Sequence, residues 1–196
     1  KTYKTYHYND WGNLSSIQQK INDESYWRTI TSRQYDKFGR IKIKNLGGLA
    51  ESQNYTYRIW GALESINKDY CQSGTGNHFF GEVINYDFGF TSNSNTEAPS
   101  GMTWRLKGSP TIQRAYGYQY DACGRLLSAD YRQSDNNASY SNTVEDYTAK
   151  NITYDGNGNL LTMDQWATSI AFGGPVKIDQ LKYRYLNNGL SNQLQA

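Results

Sequence analysis

One spacing recurs along this chain: a tyrosine with a glycine four residues after it. It joins Tyr8 to Gly12, Tyr35 to Gly39, Tyr57 to Gly61, Tyr120 to Gly124, Tyr154 to Gly158 and Tyr185 to Gly189. A degenerate seventh copy, "INYDFGF" at 84–90, brings its Gly89 one residue early. Two copies, "YHYNDWGNLSSI" (6–17) and "YTYRIWGALESI" (55–66), match at seven positions without a gap. Repetition constrains the architecture before any other signal, because each unit repeats one local fold. The tyrosines step by 27, 22, 29, 34, 34 and 31 residues. A solenoid coil of fixed length needs tighter periodicity. Variable steps suit hairpins joined by loops of different length.

Each copy reads as strand, turn and strand within about a dozen residues. Tyr118 and Tyr120 alternate with Gly117 and Gln119, the period of a half-buried strand. Asp121 then opens a four-residue turn that ends at Gly124. Aspartate first and glycine fourth is the preference of a type I turn, and glycine takes the left-handed conformation of the bulge that closes it. Asp36, Asp87 and Asp155 hold the place of Asp121 in sister copies, Asn9 is a similar short polar residue, and Arg58 departs from the pattern.

The stretch "YDACGR" at 120–125 gathers Asp121, Cys123 and Arg125 as an active site would. The sister copies argue otherwise. Phe38 and Asn157 replace Cys123, and Asn13 and Asn159 stand where Arg40 and Arg125 do. The group is therefore read as architecture. An all-β fold follows: an antiparallel sheet of successive hairpins, twisted or curved, with 1–196 a single repeat region. Residues 91–101 and 133–146 are polar and are expected to form irregular exposed loops. Ile17 and Ile21 have helical spacing within 15–27, but the repeat register favours strand followed by loop. "SGTGNHFFGE" at 73–82 reads as a loop entering a strand.

The pattern Y-x-Y-D-x-x-G-[RN]-L, at 118–126 and 152–160 with its core at 35–41, resembles the YD repeats of the bacterial Rhs family. The resemblance runs from Tyr6 to Leu194, is weakest over 89–115, and departs from the pattern at Gly89 and Arg58. It implies a fragment of a large secreted or surface-exposed bacterial protein. It also implies a β-shell as the larger structure, with the remainder of the parent chain, an encapsulated C-terminal toxin or surface glycans as partners. The family's autoproteolytic D-P-x-G-x motif is absent from this sequence, so that activity is not implied.

The remaining signals mostly exclude. Twenty basic and 18 acidic residues give a net charge of +2, and no lysine or arginine run favours nucleic acid. No apolar stretch is long enough to insert in a membrane. The chain opens on Lys1, as expected of a piece of a longer protein. Cys71 and Cys123 form neither a disulfide framework nor a C-x-x-C pair. No H-E-x-x-H, G-x-S-x-G or Walker pattern occurs, so no metal, cofactor or enzymatic chemistry is expected. His7 is expected at the surface, and Glu51, Glu64, Glu82, Glu97 and Glu145 hold no shared repeat position. The function expected is structural or binding. The main alternative is carbohydrate binding through exposed aromatics, with Trp11 and Trp60 at matching turn positions as the stacking candidates. A glycan-processing enzyme ranks below both.

Overall fold

The structure, a computed structural model, describes residues 1–86, 97–136, 138–169, 171 and 173–195. Its strands are β1 (Thr2–Tyr8), β2 (Leu14–Ile21), β3 (Arg28–Tyr35), β4 (Ile41–Leu46), β5 (Glu51–Tyr57), β6 (Leu63–Ile66) and β7 (Phe80–Asn85). They continue as β8 (Gly101–Leu106), β9 (Ser109–Tyr120), β10 (Leu126–Ser134), β11 (Ala149–Tyr154), β12 (Leu160–Ser169) and β13 (Gly174–Lys182). Among the described residues these thirteen strands lie in chain order in one open antiparallel sheet. One short helix, α1 (Lys68–Ser73), and a 3₁₀ turn (Leu186–Gly189) complete the described elements.

Five hairpins share one register device. His7 faces Ser16, yet Tyr8 faces Leu14, so two residues of the return strand oppose one tyrosine. The same slip falls at Tyr35, Tyr57, Tyr120 and Tyr154. This is a bulge, and it adds local twist where the strand turns.

The chain forms two compact units, Lys1–Val83 with Arg105–Pro110, and Ile84–Trp104 with Thr111–Ala196. In the first unit β1 is a bare edge, with Tyr3, Tyr6 and Tyr8 all about half exposed or more. Burial centres on α1, where Tyr70 and Cys71 are covered. Gly81 faces the helix so closely that a Cβ there would lie 2.7 Å from the Cys71 nitrogen and 2.9 Å from the Asn67 carbonyl oxygen. Only glycine permits that approach. Asn67, left-handed at φ 47°, enters the helix and ties three segments together. It accepts from the Asn54 N–H (2.8 Å) and donates to Glu51 (3.1 Å) and the Phe80 carbonyl (2.8 Å). The buried Arg105 guanidinium donates to the carbonyls of Cys71 (3.0 Å) and Pro110 (2.5 Å).

The second unit is built on aromatic stacking. Along β9, Ala115 and Gly117 are buried on one face while Tyr116, Tyr118 and Tyr120 alternate with them on the other. Trp104 stacks on Tyr116 at 5.4 Å, and Tyr116 on Tyr118 at 6.1 Å. Tyr131, 1% exposed, meets Tyr116 and Tyr147 edge-on. Burial raises its hydroxyl above the ordinary tyrosine range, and the hydrogen bond it donates to Glu145 (3.0 Å) adds to this. Strands β10 and β11 share one register pair, Ala129 with Ala149, supplemented by a bond from the Tyr131 N–H to the Thr148 hydroxyl.

Several expectations change. The Tyr185 copy does not make the expected turn: Leu186–Gly189 winds into the 3₁₀ turn, and the Leu186 N–H reaches the Gln193 carbonyl. Residues 91–96 of the first predicted loop lie outside the described residues, as do Asp87 and Gly89. Ser100, within that loop, is buried rather than exposed, because its N–H bonds to the Asn85 carbonyl. In the second loop Gln133 and Ser134 still belong to β10, and Asp146 is buried because it accepts the Thr148 N–H. Strand β2 runs to Ile21 despite the helical spacing of its isoleucines.

Candidate functional site at the hairpin turns

The five turns share their backbone bonds. The residue after each tyrosine donates its N–H to the carbonyl four residues on, over 2.8–2.9 Å: Asn9 to Asn13, Asp36 to Arg40, Arg58 to Ala62, Asp121 to Arg125 and Asp155 to Asn159. The glycine N–H then returns to the carbonyl of that first residue over 2.9–3.1 Å. All five glycines have positive φ: 77° at Gly12, 78° at Gly39, 97° at Gly61, 77° at Gly124 and 84° at Gly158.

The side chain after the tyrosine fixes this geometry from inside. Asp121 Oδ1 accepts the N–H groups of Cys123 and Arg125, both at 2.9 Å, and its Oδ2 takes the Arg125 Nε at 2.6 Å. Asp36 repeats the set with Phe38 and Arg40, and Asp155 with Asn157 and Asn159. Asn9 accepts the two N–H groups of Trp11 and Asn13. This is an Asx turn, and in the three aspartate copies the side chain of the residue after glycine closes it as well, which explains arginine or asparagine there. Arg58 cannot supply the bonds, and its Gly61 has the φ furthest from the others. The bond from the Arg125 N–H, then the Arg125 side chain, holds the Asp121 carboxyl below its ordinary value despite partial burial. At Asp155 the Asn159 side chain has the largest part in the same effect. At Asp36 burial pushes upward, but the Arg40 and Phe38 N–H groups and the Arg40 side chain together outweigh it.

The tyrosines do something that strand alternation did not foretell. Tyr35 donates its hydroxyl to the Leu14 carbonyl (2.7 Å), Tyr57 to Ile41 (2.8 Å), Tyr154 to Leu126 (2.8 Å) and Tyr185 to Leu160 (3.1 Å). Each acceptor is the first residue of the preceding hairpin's return strand, two residues beyond its glycine. The tyrosine thus ties its own hairpin to the one before. Tyr120 departs from this, donating to the Pro99 carbonyl (3.0 Å). In two places the previous turn's arginine also covers the tyrosine ring: Arg40 over Tyr57 at 4.5 Å and Arg125 over Tyr154 at 4.7 Å. Arg125 therefore closes its own turn and packs on the next hairpin.

The stacking candidates Trp11 and Trp60 are 78% and 51% exposed. The turn between theirs carries Phe38 in the same place, 68% exposed. Phe38 stands two residues after Asp36 as Trp11 stands two residues after Asn9. A shallow depression of about 230 Å³ beside the first ring is lined by Trp11, Asn13, Asp36, Lys37 and Gly39. Arg58 lies over Trp60 at 5.7 Å, and Lys37 and Arg40 lie near Phe38 at 5.0 and 4.9 Å.

One polar cluster was missed. Glu51, 6% exposed, approaches His78 Nδ1 at 3.5 Å and accepts the Phe79 N–H at 2.9 Å. Tyr70 lies edge-on to the His78 ring. Glu51 and His78 are 27 residues apart and belong to no shared repeat position, so periodicity carried no signal for their meeting. The two cysteines are not joined in a disulfide, Cys71 being buried and Cys123 exposed at its turn, while His7 is exposed. Among the described residues no group of three or more His, Cys, Asp or Glu side chains could hold a metal ion, and no helix is long and apolar enough to cross a membrane.

No family model matches the chain, and no curated protein matches it. Among solved structures it is similar to chains described as TcdB2-TccC3 without its hypervariable C-terminal region (TM-score 0.45, 11% identity) and TcdB2-TccC3-TEV (TM-score 0.45, 12% identity). A third is the Photorhabdus luminescens Tc holotoxin pore carrying a TccC3 mutation (TM-score 0.27, 13% identity). Each likeness covers 94% of this chain, which spans only about a tenth of the length of those chains. With scores this low the fold assignment rests on the strands themselves: a sheet of successive β-hairpins.

Proposed function

We infer that this chain is a structural segment of a larger bacterial protein of the YD-repeat, Rhs-like type, secreted or displayed at the cell surface. Its hairpins serve as a stretch of β-wall, continued by the rest of the parent chain and suited to enclosing a C-terminal toxin. The observation that carries this reading is the tyrosine link. Tyr35, Tyr57, Tyr154 and Tyr185 each spend the hydroxyl on the preceding hairpin, and the aspartates spend their oxygens inside the turns. The recurring residues are thus engaged in joining neighbours, whereas an enzyme gathers unlike groups in one constellation.

The competing enzymatic reading rests on Glu51 and His78, which pair a carboxylate with an imidazole. The purified chain would be incubated at neutral pH with labelled polysaccharides and unfolded protein. The wall reading expects no more product than with heat-unfolded chain. Sustained hydrolysis that Glu51→Gln or His78→Ala abolishes in a folded variant would overturn it.

A further inference from the structure

We propose that Asp164 catalyses a self-made cross-link in the second unit, an isopeptide bond between Lys177 on β13 and Asn151 on β11. The Asp164 side chain is 7% exposed. Its Oδ2 accepts from both partners, with the Asn151 Nδ2 at 2.9 Å and the Lys177 Nζ at 3.0 Å. The two nitrogens are therefore no farther apart than those two lengths together. An amine, a carboxamide and a carboxylate touching both are the parts that such a bond requires. Regular strands would not bring them together. Lys150 faces Asp164, so Asn151 would face Met163 and point to the other side of the sheet. The register shifts there, and Asn151 takes a left-handed φ of 56° that returns its amide to Asp164. The Thr162 hydroxyl holds this distortion by donating to the Asn151 carbonyl (2.7 Å). On the other flank Gln165 faces Asp179 but Trp166 faces Lys177, which leaves Ile178 as an extra residue. Without that shift Lys177 would face Ala167, on the side away from Asp164. Two irregularities, one on each side of Asp164, thus turn an amine and an amide onto one carboxylate. Neither is the turn bulge that the five hairpins share. Bulges re-aim side chains in this way beside active sites.

The reaction balances without any co-reactant. Asp164 takes a proton from the Lys177 ammonium, and the freed Nζ lone pair attacks Cγ of Asn151. The Nζ–Cγ bond forms and the Cγ–Nδ2 bond breaks. Asp164 relays the protons shed by Nζ to the departing nitrogen, which leaves as ammonium. The carboxylate is regenerated, and nothing is oxidised or reduced. Bonds from Asn151 and Lys177 hold the Asp164 carboxyl below its ordinary value. It is therefore ionised at neutral pH, the form that accepts the first proton. Holding amine and amide in place replaces a slow encounter between separate groups. The Trp166 ring, 5.2 Å from the Lys177 Nζ, flanks the amine. The product would tie β11 to β13 across β12.

The test is tandem mass spectrometry of the whole chain, incubated folded at about pH 7 and about pH 9, then denatured and digested. The expected product is a branched peptide joining Asn151 to Lys177, lighter than its two arms by one ammonia. Only the free amine attacks, so conversion should be at least about threefold faster at the higher pH. Lys177→Arg keeps a cation beside Asp164 and should abolish the branch. Asp164→Ala should slow it at least about tenfold, a modest share of what a positioned acid–base group contributes. Thermal melts establish that each variant is folded, and wild type unfolded in urea, which should form no branch, carries the comparison if Asp164→Ala is not. The proposal is overturned if the wild type yields no branched peptide, or loses ammonia only in unbranched peptides, as a succinimide at Asn151 would. It is equally overturned if the branch forms as fast in the urea-unfolded chain or in folded Asp164→Ala.

Discussion

The first unit ends its three turns in Trp11, Phe38 and Trp60, whereas the second ends its two in Cys123 and Asn157. The backbone bonds behind those tips are the same to within about 0.2 Å. The turn is therefore specified by its first and fourth residues, and the third is free to take on other work. The units also differ in closure. Both second-unit turns are sealed by aspartate, but the first unit includes the unsealed turn at Arg58.

The most damaging change should be at a glycine, because backbone conformation is common to both units. Gly124→Val places a β-branched residue at φ 77° with no neighbour within 4 Å to relieve or worsen it. A loss of about 1–2 kcal/mol is expected from backbone strain alone, and Gly61→Val in the first unit should cost at least as much. Denaturant melts of both variants compare the units directly.

A smaller loss is expected from Asp121→Ala, which removes the acceptor for two N–H groups and the partner of Arg125. The sign with pH follows from the depressed carboxyl. Its contribution is present above the unfolded carboxylate value near pH 4 and is lost as pH falls through the lower folded value. Melts in acid should therefore converge for the wild type and Asp121→Ala, and separate again at neutral pH. Asp121→Asn should behave more gently, since Asn9 already serves in this role, though it gives up the charge facing Arg125.

The unsealed turn offers the opposite experiment. Arg58→Asp should give this turn the Asx closure that its sister turns have and stabilise the first unit by about 0.5–1 kcal/mol. A loss of stability would mean that the packing of Arg58 on Trp60 matters more than turn closure. The smallest effect belongs to the tips. Asn157→Trp, which gives a second-unit turn the aromatic tip of the first, should shift the melting temperature by no more than ordinary surface changes do, within about 0.5 kcal/mol.

The hairpins were legible because tyrosine and glycine keep a fixed spacing, and because a short polar residue after tyrosine has one local use. The Asx closure is half visible: Asp121 reads as a turn residue, while Arg125 and Asn159 share one repeat position. Both can donate to the aspartate, which is what the interchange meant. The tyrosine links were hidden because their acceptor is a backbone carbonyl, and no letter of the sequence marks it. Helix α1, six residues long, is too short for helical periodicity to register, although Gly74 closes it in the left-handed conformation. The Tyr185 copy misled because its spacing is right, yet the Leu186 N–H pairs with the Gln193 carbonyl and not with the carbonyl four residues on.

The central claim is that the hydroxyls of Tyr35, Tyr57, Tyr154 and Tyr185 each hold the hairpin before their own. It is tested most directly at Tyr154, where β10 and β11 share a single register pair and the bond to Leu126 is one of few cross-links. Hydrogen exchange followed by mass spectrometry would compare the wild type with Tyr154→Phe, which keeps the ring beneath Arg125 and removes only the hydroxyl. Faster exchange is expected in residues 126–134 of the preceding return strand as well as around 152–160. Exchange that is unchanged, or that rises only within 152–160, would contradict the account.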